Sequence, residues 1–108
     1  MTKVRIDPGI CGLKATVTAV ADDEEMEVRL KVSTGCKAIQ DMFEELGDTF
    51  DTYELCLQKP GEGPLYDYAK QHFPVHVSCP VIPGIIKCAE VDAKLALKKN
   101  AYIEFMED

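Results

Sequence analysis

The chain has 108 residues, of which 46% are hydrophobic and 29% charged, a composition typical of one globular domain over residues 1–108. Its 12 basic and 19 acidic side chains give a formal net charge of −7. Because such an acidic chain repels phosphate backbones and anionic lipid surfaces, we expect neither nucleic acid nor membrane as a partner. No apolar run approaches the roughly 18 residues of a membrane span, and no apolar leader opens the sequence, so we expect a cytoplasmic protein.

The first third of the chain alternates apolar and polar residues, which is the period of a β-strand with one buried face. The alternation covers residues 3–6, 13–19 and 26–33. A turn signal, Asp7-Pro8-Gly9, separates the first two stretches, and the polar run 22–25 suits a hairpin connection between the next two. We therefore predict an antiparallel three-stranded sheet.

The apolar spacing then changes to that of helices. A first helix is indicated by apolar residues on one helical face, ending at Gly47: Ile39, Met42, Phe43 and Leu46. A second helix is expected to begin at Pro64, and a long third one to run over residues 83–98. Residues 48–57 fit either a short helix or a strand, and residues 101–106 suit an extra C-terminal strand. Strands followed by helices indicate an α+β fold with the helices packed on one face of the sheet.

The five cysteines are the feature most informative about function, and they are Cys11, Cys36, Cys56, Cys79 and Cys88. An odd number in a reducing compartment favours metal binding or thiol chemistry over a disulfide framework. Cys11 lies in a glycine-flanked turn between two predicted strands, while Cys36 and Cys79 each follow a predicted strand and precede a helix. Helix N-termini favour the thiolate, and three thiolates from separate turns suit an iron–sulfur cluster or zinc.

These motifs resemble those of the iron–sulfur cluster assembly scaffold family, the IscU type and the N-terminal domain of NifU. The family's first cysteine stands in a glycine-flanked turn before a strand, as in Gly9-Ile10-Cys11-Gly12. Its second opens a helix after a strand, as in Gly35-Cys36, and its third closes a stretch that here reads Pro74-Val75-His76-Val77-Ser78-Cys79. The resemblance implies a cluster-binding protein rather than an enzyme, with iron–sulfur assembly or acceptor proteins as its partners.

The chain departs from that family at positions next to the cysteines. Leu13 stands where the family has the aspartate of its Cys-Gly-Asp turn, and Ser78 where it has a histidine. Cys56 can supply a fourth thiolate in place of the missing aspartate and histidine. This gives a Cys₄ site for zinc or a stably held cluster, made of Cys11, Cys36, Cys56 and Cys79. Alternatively, Cys56 packs in the core.

Two other functions stay open, a non-metal interaction module on the same fold and a thiol carrier that accepts a persulfide. The sequence leaves the oligomeric state undecided.

Overall fold

A computed structural model covering residues 1–108 has an α+β fold of four strands and four helices. The strands are β1 (Thr2–Ile6), β2 (Ala15–Ala21), β3 (Glu27–Thr34) and β4 (Thr49–Asp51). They form one antiparallel sheet in the order β1-β2-β3-β4. The helices are α1 (Lys37–Leu46), α2 (Thr52–Cys56), α3 (Pro64–His72) and α4 (Val81–Asp92).

One face of the sheet is buried and the other faces solvent, as the alternating sequence predicted. Val17 on β2 lies opposite Val4 on β1 and Val32 on β3, and its side chain is fully buried. The next row, Lys3–Thr18–Lys31, points to the opposite face, where both lysines are exposed. The helices therefore pack on one side, and the buried core lies between them and the sheet.

The sheet has four strands rather than the three that we predicted. The additional strand β4 pairs with the beginning of β3, with Phe50 opposite Val28. Both of these side chains are buried. The helix α2 follows β4 at once, so the ambiguous stretch 48–57 contains both a strand and a helix. Elements of three and five residues are too short to display a clear period, because a single helical turn already takes about 3.6 residues.

The long C-terminal helix was predicted with the wrong limits. It covers Val81–Asp92 rather than residues 83–98. Pro83 is accommodated because the first helical turn needs no intrahelical amide donors. The helix ends early because Lys94 adopts a positive φ of 63° and the Leu95 amide donates to the Glu90 carbonyl at 2.8 Å, closing the last turn. The extra strand suited by residues 101–106 does not form, and these residues are exposed without regular structure.

The C-terminus of α4 is attached to the sheet through the carboxylate of Asp92. Its Oδ2 accepts a hydrogen bond from the Ala21 amide at 2.6 Å, and its Oδ1 accepts one from the Thr2 hydroxyl at 2.8 Å. This contact fixes the direction of α4 across β1 and β2. No helix of the structure is long and apolar enough to cross a bilayer.

Candidate functional site

Cys11 and Cys36 lie at the same end of the sheet. The antiparallel register pairs Ile6 with Ala15 and Ala15 with Thr34, so the β1–β2 connection and the residues after β3 meet at that end. The Thr34 hydroxyl lies 3.5 Å from the Leu13 carbonyl in that connection. Two segments that are 25 residues apart in the sequence therefore lie side by side, with Cys11 exposed and Cys36 partly buried.

Cys79 is brought to this end by the packing of α4. Gly84, in the first turn of α4, lies so close to Ile6 at the end of β1 that an added Cβ would be 2.5 Å from the Ile6 Cδ1 atom. Glycine permits this approach because it has no side chain. The N-terminus of α4 therefore lies over the end of β1, and Cys79 precedes that helix by two residues.

The backbone around Cys36 leaves a helix N-terminus available to an anionic group. Cys36 is the N-cap residue of the ten-residue helix α1, and no side chain caps the free amides there. Its own amide donates to the Thr34 hydroxyl at 3.1 Å, which holds the turn that carries the thiol. An uncapped helix N-terminus presents free N–H groups and the positive end of the helix dipole to a bound anionic group.

The three cysteine-bearing turns share one end of the molecule but do not form an assembled metal site. No group of three or more His, Cys, Asp or Glu side chains lies close enough together to hold a metal ion. Cys11 lies in an exposed turn, and residues 74–78 before Cys79 are exposed and lie outside any helix or strand. Movement of either segment therefore disrupts little of the buried core.

Cys56 lies in a different environment from Cys79. It ends α2 and lines a cavity with Tyr66, Ile86 and Glu90, whereas Cys79 lines a neighbouring groove. Burial raises the pKa of the Cys56 thiol to about 11, and the Glu90 carboxylate adds to this increase. Cys56 packs against the core, and so do Cys36 and Cys79. Its thiol is protonated at neutral pH, so coordination requires the metal to displace that proton.

Cys88 is a core residue, in agreement with its position on the apolar side of α4. It is fully buried, and its Sγ lies 3.3 Å from the Thr2 carbonyl and 3.6 Å from the Val17 carbonyl. Burial raises the pKa of this thiol as well. Cys88 therefore links α4 to β1 and β2 and is unavailable for chemistry at the surface.

An apolar groove of about 520 Å³ lies beside Cys79 and was not anticipated from the sequence. Its apolar wall comes from α3, from the segment after it and from the start of α4: Tyr66, Phe73, Val75, Val77 and Ile82. The exposed fractions of Val75 and Val77 are 106% and 103%. A signal for it was present in Phe73-Pro74-Val75, because proline prevents the helix from continuing and leaves the following valine outside it.

The comparison with protein families assigns the chain to one group. Residues 2–105 match a family of unknown function, DUF6951. The chain belongs to this family. The match includes all four strands, all four helices and most of the exposed C-terminal segment. Neither the curated proteins nor the solved structures contain a match to the chain.

Proposed function

We propose that this DUF6951 protein binds an iron–sulfur cluster or zinc through Cys11, Cys36 and Cys79. The observation that carries the proposal is that the three cysteine-bearing segments lie at the same end of the sheet, without yet forming an assembled site. The resemblance of the same segments to iron–sulfur cluster assembly scaffolds supports the same assignment. Thiolate donors suit both groups.

The three cysteine thiols fit a metal or cluster that draws its ligands together when it binds. Cys36 lies on a fixed turn at the uncapped start of α1 and offers the preorganised thiol. Cys11 lies on an exposed turn, whereas Cys79 packs against the core behind the exposed residues 74–78, so the turn of Cys11 can close on a metal without unpacking the sheet. Metal binding commonly supplies the free energy for such ordering. The bound group would supply electron storage if it is a cluster, or a structural link between the turns if it is zinc.

Anaerobic reconstitution of the reduced protein with iron and sulfide tests this proposal. We expect a sulfur-to-iron charge-transfer absorbance that Cys36→Ala strongly reduces and that Cys11→Ala and Cys79→Ala weaken. Cys88→Ala is the matched control, because its thiol is buried in the core, and it should keep the absorbance. A Cys36→Ala protein that absorbs like the wild type would overturn the proposal.

Cys56→Ala decides whether the site has three or four cysteine ligands. If Cys56→Ala loses the absorbance as completely as Cys36→Ala does, the site has four cysteine ligands. Retention would leave Cys56 as a core residue of α2. The same variants loaded with zinc and measured by metal analysis separate a zinc site from a cluster site, since zinc gives no visible absorbance.

A second candidate function is that of a non-metal interaction module, and the groove beside Cys79 favours it. Its exposed valines are apolar surface that a binding partner can cover. Under this function the purified protein contains neither iron nor zinc, and substitution of all three cysteines leaves partner binding unchanged. Metal analysis of protein purified without added metal therefore discriminates between the two functions.

A further inference from the structure

The C-terminal segment, residues 97–106, is the largest exposed apolar element of the protein. It contains five large apolar side chains with exposed fractions between 78% and 101%: Leu97, Tyr102, Ile103, Phe105 and Met106. Its only side-chain hydrogen bond is local, between Asn100 and the Tyr102 hydroxyl at 3.2 Å. Such a concentration of exposed apolar residues marks an interaction surface rather than ordinary surface variation.

This segment leaves the molecule at the end opposite the groove. Lys94, two residues after the end of α4, forms a 3.0 Å ion pair with Glu25 in the β2–β3 connection. The groove lies at the other end of α4, where Ile82 and Cys79 line it. Twelve helical residues separate the two ends by about 18 Å. The segment therefore begins about one helix length away from the groove of its own chain.

The segment and the groove are complementary in polarity and charge. The groove wall is mainly apolar, and Lys70 is the one lysine that lines it. The adjoining cavity shares Pro60 and Tyr66 with the groove and adds no net charge, because two lysines and two glutamates line it: Lys59, Lys87, Glu62 and Glu90. The charged residues of the segment's end, residues 101–108, are all acidic: Glu104, Glu107 and Asp108. Within residues 101–106, which follow Lys98 and Lys99, Glu104 is the one charged side chain and is matched by Lys70. The aromatic side chains beside Glu104 are matched by the apolar wall.

We propose that two copies of the chain form a twofold-symmetric dimer in which residues 101–106 of each copy occupy the groove of the other. A twofold axis makes both exchanges equivalent and leaves no unsatisfied segment. Tyr102 and Phe105 each bury about 150–250 Å² when fully covered, so two segments contribute roughly 600–1,000 Å² from aromatic residues alone. With the covered groove walls added, the total reaches the roughly 1,200 Å² of a specific interface.

The dimer requires neither metal nor disulfide bonds, so its test is independent of the proposed cluster site. The full chain is measured by analytical ultracentrifugation in reductant and chelator, over a wide range of concentrations. We expect a reversible monomer–dimer equilibrium. Phe105→Asp and Val77→Asp should each weaken it about tenfold or more, because each places a carboxylate in the apolar contact. Both side chains are fully exposed in the single chain, so these variants should fold normally.

Ile10→Asp is the matched control, since Ile10 is equally exposed but lies outside both the segment and the groove. Its dimerisation should equal that of the wild type.

Two results would overturn the proposal. The first is a wild-type chain that stays monomeric at every concentration, which is also the result expected if the segment docks on its own chain. The second is a dimer that Phe105→Asp and Val77→Asp leave unchanged.

Discussion

Removal of the Asp92 carboxylate should destabilise the protein by about 3 kcal/mol, because this group joins α4 to two strands. Its side chain is only 11% exposed and accepts hydrogen bonds from the Ala21 amide at 2.6 Å and the Thr2 hydroxyl at 2.8 Å. A hydrogen bond to a charged group contributes about 1.5–3 kcal/mol, and Asp92→Ala loses two of them, so about 3 kcal/mol is the lower end of the expected loss. The Met1 amine, 3.1 Å away and largely exposed, contributes less than about 1 kcal/mol.

The pKa of Asp92 gives the same prediction a pH dependence. Burial alone would raise this pKa, but the hydrogen bonds from Ala21, Thr2 and the N-terminus outweigh burial and lower it below its ordinary value of 3.8. The stabilisation is therefore fully present above the unfolded pKa and is lost as the pH falls through the folded pKa. Asp92→Asn keeps the shape and removes the titration, so the stability difference between wild type and this variant should shrink below about pH 4.

Urea unfolding followed by circular dichroism at neutral and acidic pH measures both effects. Asp41→Ala is the matched control, because this carboxylate forms an exposed i,i+4 pair with Lys37 at 2.8 Å and should change the free energy of unfolding far less than Asp92→Ala does. An Asp92→Ala protein as stable as Asp41→Ala would refute the assignment of Asp92 as the link between helix and sheet. A pH-independent gap between wild type and Asp92→Asn would refute the lowered pKa.

Two further predictions concern buried groups. The Thr52 hydroxyl is buried without a hydrogen-bond partner, so Thr52→Val should leave the free energy of unfolding unchanged or raise it by up to about 1 kcal/mol. The thermal midpoint should therefore stay the same or rise. A clear decrease would mean that the hydroxyl is hydrogen-bonded. Cys56 should react with an alkylating agent at pH 8 much more slowly than the exposed Cys11, because its pKa of about 11 keeps it protonated, and mass spectrometry of the labelled peptides should show its rate rising steeply towards pH 11. Equal labelling of the two thiols at pH 8 would contradict the burial of Cys56.

Local signals in the sequence predicted most of the elements. Alternation identified the three long strands, and Gly47, which adopts a φ of 82°, ended α1 where a C-terminal glycine was expected. Pro64 opened α3 in the same way. These predictions succeeded because turn residues and a single buried face are properties of neighbouring residues. The antiparallel α+β fold with helices on one face followed from them.

Elements that depend on distant contacts were predicted poorly. The apolar spacing of α4 continues through Leu97, yet the helix stops at Asp92, where the carboxylate binds Thr2 and Ala21 of the sheet. Leu97 is left 95% exposed. The short strand β4 was equally hidden, because it is defined by its pairing with β3 rather than by its own three residues.

The candidate site likewise combines features set by neighbouring residues with features set by distant contacts. The sequence by itself determined which residues carry thiols and that Cys11, Cys36 and Cys79 lie at the ends of elements, because turns and helix starts have local signatures. Only the tertiary structure decided that β-sheet register and the approach of Gly84 to Ile6 bring these turns to one end, while Cys56 lines a separate cavity. The physical reason is that the separation of side chains in space depends on strand pairing and helix packing, which form between residues far apart in the chain.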